Sequence, residues 1–247
     1  MNKTANKKTK KQTFSPIVKW FWGLFAAGVV SIILLFLSAS WGLLGDMPDF
    51  QHLENPETNL ATEIVTADGK SLGKFYLDEN RTPIKFKDLP KHLVDALIAT
   101  EDERFYSHHG IDFMGIGGAI KDAVTGSGGR GASTITQQLA KNMFRVRTQY
   151  STGLLGYIPG IRMLIMKSKE WIIAVKLELI YSKKEILTMY ANTVDFGSNA
   201  YGIKTAAKTY FNCSPKELTT DQAAVLVGML KATTYYNPKT HPENSLK

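Results

Sequence analysis

Residues 101–110 combine three carboxylates, a guanidinium, two imidazoles and two aromatic rings in the stretch EDERFYSHHG. A carboxylate in such surroundings can exchange a proton with a hydroxyl group, which is general acid–base chemistry. Glu101 directly follows an apolar helical pattern, so we expect its side chain at or just past a helix end. Charge of this density is also typical of a solvated helix end, and the interpretation therefore depends on the rest of the chain.

Glu170 is the second candidate carboxylate. The pattern predicts a helix that starts at Lys167, and a glutamate in the first turn is favoured by the helix dipole. Two carboxylates on different elements suit glycosyl chemistry, because one exchanges a proton with a sugar oxygen while another feature stabilises the charge that develops. In a chain with 22 acidic residues, an ordinary helical glutamate is the competing interpretation.

A glycine-rich loop spans residues 126–131. Its spacing is similar to that of a phosphate-binding P-loop, but Ala132 stands where that loop needs lysine, and the preceding residues have a helical pattern. A nucleotide-binding loop is therefore not favoured. The adjacent His108 and His109 lack the His-Glu-x-x-His pattern of a zinc site, so histidine ligation is not favoured either.

The loop leads into a polar helix that we expect to begin near Ser133 or Thr134, because Thr134-x-x-Gln137 is a capping-box pattern. A helix N-terminus attracts anions through its free N–H groups and its dipole. Lys141 and Arg145 lie further along the same segment. The segment therefore predicts an anion-binding surface that suits a group such as pyrophosphate.

The charge of the chain is concentrated in its N-terminal tail. The formal net charge is +8, but six lysines and no acidic residue lie before residue 20. Without them, 24 basic residues remain against 22 acidic ones, so a nucleic-acid partner is not expected. The single cysteine, Cys213, permits no intramolecular disulfide and no cysteine-based metal site.

Residues 20–45 contain no charged side chain, and as a helix they would extend about 39 Å, against a hydrocarbon layer of about 30 Å. The segment is therefore predicted to be a transmembrane helix. The lysine-rich tail at 1–19 favours a cytoplasmic N-terminus, so the chain after the helix would lie on the outer side. That part is predicted to consist of a linker at 46–60 and a folded domain at 61–247. The alternative is a cleaved signal peptide with Ser38-Ala39-Ser40 at the cleavage site.

A β-hairpin is predicted around Asp68-Gly69, with strands at 63–67 and 71–76. Residues 82–86 could add a third strand. The rest of the domain has helical patterns with recognisable caps. The first predicted helix begins at Asp88, with Pro90 in its first turn, and the second spans 111–124. A third follows Ser133 or Thr134, and a fourth spans 167–180. Three more follow the capping boxes at Ser182, Ser214 and Thr219, and the last of them ends near Lys231. The fold class is therefore mainly α with a small N-terminal hairpin.

Residues 150–166 are apolar for a connecting segment, with one charged residue after position 150, Arg162. Glycines and a proline interrupt the stretch, which is also too short to span a bilayer. Two interpretations stay open: the segment is buried in the core, or it dips into the membrane surface.

Four motifs occur in order between residues 90 and 240. They are Glu101-Asp102-x-x-Phe105-x-x-His108-x-Gly110; Gly131-Ala132-Ser133-Thr134-Ile135-Thr136-Gln137-Gln138-Leu139-x-Lys141-Asn142; Lys167-x-x-Glu170 followed by Leu177-Glu178; and Tyr190-x-Asn192 with Gly197 and Tyr201-Gly202-Ile203-x-x-Ala206-Ala207-x-x-Tyr210-Phe211. Behind a membrane anchor, this order resembles the signature motifs of the peptidoglycan glycosyltransferases, the lysozyme-like family shared by class A penicillin-binding proteins and monofunctional transglycosylases. The hairpin ahead of the motifs is more similar to the bifunctional proteins.

The resemblance implies a lysozyme-like helical domain on the outer side of the bacterial inner membrane, held by a single type II anchor. It implies polymerisation of lipid II into β-1,4-linked glycan strands with release of undecaprenyl pyrophosphate. Glu101 would be the general base toward the acceptor 4-hydroxyl. Glu170 would help place the pyrophosphate, directly or through a divalent cation, Mg²⁺ or Mn²⁺. The expected partners are lipid II, the growing strand, the membrane and other cell-wall synthesis proteins.

The resemblance also implies a set of substrate-binding residues in the matched motif positions. They are Asp102, Phe105, His108, Ser133, Thr134, Gln137, Gln138, Lys141, Asn142 and Lys167. Within the first motif, Asp102, Phe105, His108 and Gly110 are expected to hold the Glu101 carboxylate in place. Glu103 and His109 fall at open positions of the motif, and we expect them to be dispensable.

Two departures from the family pattern leave alternatives open. The family usually has arginine four residues before the second glutamate, where this chain has Met166. The chain also stops at Lys247, where the family continues with a basic helix, so we expect the front part of a longer bifunctional protein. The competing functions are a lysozyme-like lytic enzyme and an inactive scaffold that binds the lipid precursor.

Overall fold

The computed structural model describes residues 15–56, 62–75, 80–127, 131–147 and 152–245. The helices are α1 Pro16–Ser40, α2 Phe50–Glu54, α3 Lys91–Glu101, α4 Phe113–Thr125, α5 Ile135–Met143, α6 Pro159–Ile180, α7 Lys183–Thr193, α8 Ile203–Phe211, α9 Thr220–Met229 and α10 Pro242–Ser245. The strands are β1 Thr62–Val65, β2 Ser71–Phe75, β3 Asn80–Arg81 and β4 Ala200–Tyr201, and 3₁₀ turns occur at Phe86–Asp88, Leu154–Tyr157 and Pro215–Glu217. The prediction of a mainly helical fold with a small N-terminal hairpin is confirmed.

The predicted anchor is a helix whose bounds differ from the expected ones. α1 begins at Pro16, after Ser15, whose side chain accepts a hydrogen bond from the backbone of Val18. Proline suits this first position because its missing N–H has no helical partner there. The helix ends at Ser40, not Gly45, because the chain turns at Gly42 and Gly45, both with positive φ. α1 is long and apolar enough to cross a membrane.

The hairpin forms as predicted, and the third strand does not. β1 and β2 pair antiparallel, and the turn between them contains Asp68-Gly69. Residues 82–85 have no regular structure, while β3 pairs in parallel with β4. The physical reason is visible at Ile84, whose N–H and C=O both bond to the side-chain amide of Asn192, so a side chain replaces a neighbouring strand. Tyr76, expected at the hairpin end, lies outside the described residues.

Two helix starts differ from the predicted ones. α3 begins at Lys91 with Pro90 as its cap, since Asp88 belongs to the preceding 3₁₀ turn. α6 begins at Pro159, two turns earlier than the predicted Lys167. Glu170 is therefore the twelfth residue of its helix, and the expectation that a helix dipole stabilises it in a first turn is wrong.

The predicted capping boxes are mostly present. Ser182, Ser214 and Thr219 each form the reciprocal pair of hydrogen bonds, although Ser214 opens a 3₁₀ turn and the helix after Thr219 ends at Met229, not Lys231. Thr134 caps α5 by accepting from the backbone N–H of Gln137. The Gln137 side chain does not return that bond, because it donates to another segment.

The main core lies around α5, which packs against α6 and α7, while α3 packs against α9. Its largest fully buried apolar side chains are Leu53, Leu93, Phe105, Ile135, Leu139, Phe144, Ile173, Leu177, Tyr190 and Phe196. A small second cluster joins the end of α1 to α6, through Ala39, Leu44 and Ile165. The core thus packs residues from all four motif-bearing segments against one another.

The apolar segment at 150–166 is exposed for most of its described length. The exposed apolar side chains are Leu155, Tyr157, Ile158, Met163 and Leu164, each at least 48% exposed. Burial sets in only at Ile165 and Met166. The core interpretation is therefore wrong for these five side chains, and contact with a membrane stays a prediction. Residues 150 and 151 lie outside the described part of the chain.

Candidate active site

Glu101 is the last residue of α3 and lies at the edge of a polar cavity of about 320 Å³. The cavity is lined by residues 99–104, Asp112, Gly115 and residues 131–134. The cavity thus brings the first motif, at the end of α3, together with the second, at the start of α5. Glu101 is half-buried, so a substrate hydroxyl in the cavity could reach it.

Neutral groups hold the Glu101 carboxylate. Its Oε2 accepts a hydrogen bond of 2.6 Å from Nε2 of Gln138, and Oε1 of Gln138 accepts one of 3.1 Å from the hydroxyl of Tyr190. Burial, with the negative charge of Glu101, raises the pKa of Tyr190, so its hydroxyl stays a donor. These two partners are neutral, and their chain of hydrogen bonds orients the carboxylate.

Asp102 fixes the chain directly after Glu101. Its carboxylate is buried and accepts hydrogen bonds of 2.9 Å from the backbone N–H of Ile135 and from Nε2 of His108. A carboxylate at the first turn of α5 satisfies a free N–H and suits the positive end of the helix. Asp102 therefore ties the end of α3 to the start of α5.

Gly110 joins the first motif to the second and third. Its φ of +87° is in the left-handed region, and a Cβ there would lie 2.8 Å from the carbonyl carbon of Ala174 on α6. Only glycine tolerates both conditions. Its carbonyl accepts hydrogen bonds from Thr134 (2.8 Å) and from Nε2 of Gln137 (3.0 Å). The loop is thus pressed against α6 and bonded to α5.

Arg104 and Asp112 form an ion pair on the wall of the same cavity. The sequence did not predict this pair. Nε and an Nη of Arg104 donate to Oδ2 of Asp112 at 2.9 and 2.6 Å, and Oδ1 of Asp112 accepts from the backbone of Gly115, which caps α4. The guanidinium of Arg104 holds the pKa of Asp112 below its usual value. Their spacing of eight residues across a turn gives no periodic signal in the sequence.

Glu170 lies opposite, buried on α6 with 1% of its surface exposed. Nε of Arg147 donates to Oε1 at 2.7 Å, and Nζ of Lys167 donates to Oε2 at 3.0 Å. Lys167 also donates to Oγ of Ser133 at 2.8 Å, which joins the third motif to the second. Two cations therefore compensate the buried carboxylate, as burial of a charge requires.

Lys141 adds a third cation to this group. Burial lowers the pKa of Lys141, the charges of Arg147 and Lys167 lower it further, and those of Glu170 and Glu101 partly offset this. We call Lys141, Arg147, Lys167 and Glu170 the cation cluster. Three positive charges against one negative charge leave an excess that a bound anion would neutralise.

Arg147 is the member of the cluster that sequence reasoning missed. The spacing drew attention to Arg145, but the bond to Glu170 comes from Arg147, beyond the end of α5. Arg145 has a φ of +46°, so the chain leaves the helical path between the two residues. A change of backbone direction of this kind is invisible to helical periodicity, and no local signal separates the two arginines.

Glu178 connects the elements behind the site. It accepts hydrogen bonds from Thr136 (2.6 Å) on α5 and from Lys183 (2.8 Å) on α7. Lys183 also donates to the carbonyl of His108 (2.7 Å), and its ammonium lies 4.3 Å from the ring centroid of Phe105. The Leu177-Glu178 part of the third motif therefore braces the loop that follows Glu101.

The predicted substrate-binding residues divide into two groups. Buried in this structure are Asp102, Phe105, His108, Thr134 and Gln137. Half-exposed are Ser133, Gln138, Lys141, Asn142 and Lys167. Only the second group is open to a ligand without rearrangement, while the polar members of the first bond within the protein. Substrate contact stays a prediction for both groups.

Met166, the departure from the family pattern, is buried on α6. It lines a second cavity of about 540 Å³ together with Arg147, Arg162, Met163 and Tyr157. Guanidinium groups and exposed apolar side chains thus meet at one opening. Position 166 has no cationic side chain, but the guanidinium groups of Arg147 and Arg162 line the same cavity.

The protein ligands for a divalent cation are scarce in this region. Among the described residues, no group of three or more His, Cys, Asp or Glu side chains could hold a metal ion. Both oxygens of Glu170 already accept from Arg147 and Lys167. This donor set does not fit a metal held by the protein alone, since a divalent cation of this kind needs several oxygen ligands.

A family model described as Transglycosylase matches residues 68–247. The chain is 38% identical over 223 residues to penicillin-binding protein 1F of Bacillus subtilis (strain 168), covering 87% of this chain and 29% of that protein. It is 40% identical over 198 residues to penicillin-binding protein 1A of Haemophilus influenzae (strain ATCC 51907 / DSM 11121 / KW20 / Rd), covering 80% and 22%. Penicillin-binding protein 1A of Escherichia coli (strain K12) is 36% identical over 214 residues, covering 85% and 24%.

A crystal structure of penicillin-binding protein 1A from Haemophilus influenzae aligns with 76% of this chain and 17% of that chain, at 24% identity and a TM-score of 0.37. The chain spans between 22 and 29% of the length of the curated relatives named above.

Proposed function

Because this chain belongs to the transglycosylase family, we propose that it is a peptidoglycan glycosyltransferase that polymerises lipid II into β-1,4-linked glycan strands. One observation carries the proposal: Gln138 and Lys141 lie one turn apart on α5. Gln138 donates a hydrogen bond to Glu101, and Lys141 belongs to the cation cluster. A base and an anion-binding group are what transfer from a pyrophosphate donor needs.

In the proposed reaction, Glu101 takes the proton from the 4-hydroxyl of the acceptor sugar. The oxygen attacks the anomeric carbon of the donor as the bond from that carbon to the pyrophosphate oxygen breaks. The electron pair leaves with undecaprenyl pyrophosphate. Gln138 keeps the carboxylate oriented during this step, and the proton then passes from Glu101 to solvent.

The cation cluster stabilises the leaving group. Lys141, Arg147 and Lys167 surround Glu170, which holds the Arg147 and Lys167 side chains through its two oxygens. Glu170 is thus a positioning residue for the cations and not a second proton carrier. Fixed charges aimed at developing negative charge act strongly in a partly buried site. Mg²⁺ or Mn²⁺ bound to the phosphate oxygens would add positive charge there, and the substrate would supply its ligands.

The lipid part of the substrate fits the exposed apolar segment. Tyr157 and Met163 line the same cavity as Arg147, so a pyrophosphate on the guanidinium side has apolar surface beside it. We further propose that α1 is a single type II anchor and that the domain lies on the outer face of the bacterial inner membrane; the length and apolar composition of α1 support this. At this location, the proposed partners are the growing strand and other cell-wall synthesis proteins.

Two other functions use some of the same features. A lytic enzyme also uses a glutamate at a helix end, but it has no leaving pyrophosphate that would require the cation cluster. An inactive scaffold was suggested by Met166. The structure argues against an inactive scaffold, because Arg147 donates a hydrogen bond to Glu170. Glu170 therefore has a guanidinium partner even though position 166 is not arginine.

The test is incubation of the full chain with lipid II in phospholipid vesicles. The proposal expects a glycan polymer and free undecaprenyl pyrophosphate. Shortening of preformed glycan would favour the lytic enzyme. Binding of lipid II without either product would favour the scaffold.

A further inference from the structure

Lys169 is a buried lysine that the proposed chemistry does not use. It lies on α6 next to Glu170, with 1% of its surface exposed. Its ammonium donates hydrogen bonds to the carbonyl oxygens of Gly45 (3.1 Å) and Asp46 (2.8 Å). Burial lowers the pKa of Lys169, and the charge of Asp46 partly offsets this. Burying an ammonium is costly unless its donors are satisfied, so these carbonyls compensate for its loss of water.

The two carbonyls belong to the exit of the anchor. α1 ends at Ser40, the chain turns over residues 41–45, and Gly45 and Asp46 are the point where it enters the domain. Leu44, within the turn, is buried against Ile165 of α6. Lys169 lies one helical turn after Ile165, so both side chains are on the same face of α6. Together, Ile165 and Lys169 attach the exit of the anchor to that face.

α6 carries the anchor contact on one face and two members of the cation cluster, Lys167 and Glu170, on another. Ile161 and Ile172 pack on the cluster formed by Ala39, Leu44 and Ile165, and the rings of Phe36 and Trp171 lie 5.7 Å apart. Lys167 and Glu170 point instead toward Ser133 and Arg147. Because a helix is rigid over so few residues, a shift at one face moves the other.

We propose that Lys169 is a positioning residue that fixes the anchor exit to α6 and so sets the height of the cation cluster above the membrane. This rests on the proposed function, in which the pyrophosphate of a membrane-embedded lipid lies at a fixed depth. The cations meet that group only if α6 is held at a matching depth. A misplacement of about 1 Å can cost about 10²-fold in rate.

The test compares Lys169→Met in two settings, since methionine keeps the length of the side chain and removes the donor. The full chain is assayed in phospholipid vesicles with lipid II, and in detergent micelles with a water-soluble short-chain analogue. We expect a loss of about tenfold or more in vesicles and little change in micelles, where no membrane plane fixes the substrate. Lys169→Arg should recover part of the loss.

Lys176→Met is the matched control. Lys176 lies on the same helix, with its ammonium over the ring of Phe50 at 4.9 Å, away from the exit carbonyls. It should match the unaltered chain in both settings. Phe36→Ala weakens the same junction from the anchor side, and it decides the question if Lys169→Met does not fold.

A second readout needs no activity. A spin label at Leu155→Cys, in a chain that also carries Cys213→Ser, reports immersion depth in vesicles, and Lys169→Met should change that depth. Equal rates and equal depth would overturn the proposal. An equal loss of rate in vesicles and micelles would also overturn it, because it would indicate a structural role alone. If the unaltered chain makes no polymer, the proposed function fails, and the depth measurement still decides the role of Lys169.

Discussion

The two sides of the candidate site are built from different kinds of interaction. On the base side, a neutral group holds Glu101: Gln138 donates a hydrogen bond to its carboxylate, and Tyr190 donates one to Gln138. On the other side, the cation cluster places charges around the buried Glu170. In the proposed reaction, a neutral hydrogen-bond donor orients the base, whereas cations are useful where negative charge leaves. The proposed roles thus assign proton removal and leaving-group stabilisation to different sides of the site.

The two sides also differ in rigidity. On the base side, Asp102 and the carbonyl of Gly110 accept buried hydrogen bonds from α5, and Gly110 packs closely against α6. The cation cluster lies beside the exposed apolar segment, and its Arg147 side chain is 42% exposed. A fixed base and a more open anion site suit a substrate whose lipid tail enters from the membrane.

The largest expected effect is on the base side. Glu101→Gln should lower the rate of polymerisation by about 10²–10⁴-fold, the range of a lost general base. The amide keeps the shape of the side chain and removes its basicity. Glu103→Gln is the matched control, because its carboxylate is exposed and pairs only weakly with Arg104. A rate for Glu101→Gln close to that of Glu103→Gln would refute the assignment of the base.

The next effect is on the cation cluster. Arg147→Met should lower polymerisation by about 10²-fold, because one charge aimed at the leaving group is lost and Glu170 keeps only Lys167. Arg145→Met is the comparison, since the sequence alone favoured Arg145. If Arg145→Met were the more damaging change, the cluster would be wrongly composed. The rate is measured in vesicles with lipid II.

Rigidity of the base side is tested at Gly110. Gly110→Ala should lower the free energy of unfolding by about 2–4 kcal/mol, because a left-handed alanine and a contact with the α6 backbone are both unfavourable. Gly126→Ala has a similar φ of +71° but open space around its Cβ, so it should cost only about 1 kcal/mol. Equal losses in denaturant unfolding would show that the contact with Ala174 is unimportant.

The charge of Lys141 predicts a pH dependence. Its pKa is lowered in the folded protein, so the ammonium is lost as the pH rises through a value below that of an ordinary lysine. The affinity for inorganic pyrophosphate should therefore fall in that alkaline range. In Lys141→Arg the guanidinium stays charged, and the fall should be absent. Titration calorimetry at several pH values would check this, and identical profiles would contradict it.

The smallest expected effect is on membrane association. In a chain that lacks residues 1–45, Leu155→Lys with Ile158→Lys should weaken binding to liposomes by about tenfold, because each side chain is half-exposed and loses apolar contact area. Leu72→Lys, at a more exposed site in the hairpin, should have little effect. Unchanged binding by the double variant would remove the membrane role of this segment.

The sequence predicted the elements with strong local signals. The hairpin at Asp68-Gly69 and the boxes at Ser182 and Thr219 are confirmed, since turn and cap chemistry depends on few residues. The predicted start of α6 at Lys167 is wrong because Pro159 is the first residue of the helix and does not interrupt it. Helix bounds of this kind depend on packing against other elements.

The candidate site was only partly predictable. Glu101 and Glu170 were singled out by their type and motif position, but the bond from Arg147 and the contact of Gly110 with Ala174 are long-range. Such contacts depend on how α5 and α6 pack, which periodicity does not specify. The expected dipole effect on Glu170 is absent because α6 begins at Pro159, and buried ion pairs take its place.

The separation of the two sides is tested most directly by the dissociation constant of inorganic pyrophosphate in the unaltered chain, Glu101→Gln and Arg147→Met. Glu101→Gln should bind pyrophosphate as the unaltered chain does, although it has lost polymerisation. Arg147→Met should bind about tenfold more weakly, since a charge-assisted hydrogen bond is lost. Weakened binding in Glu101→Gln, or unchanged binding in Arg147→Met, would contradict the division into a base side and a cation cluster.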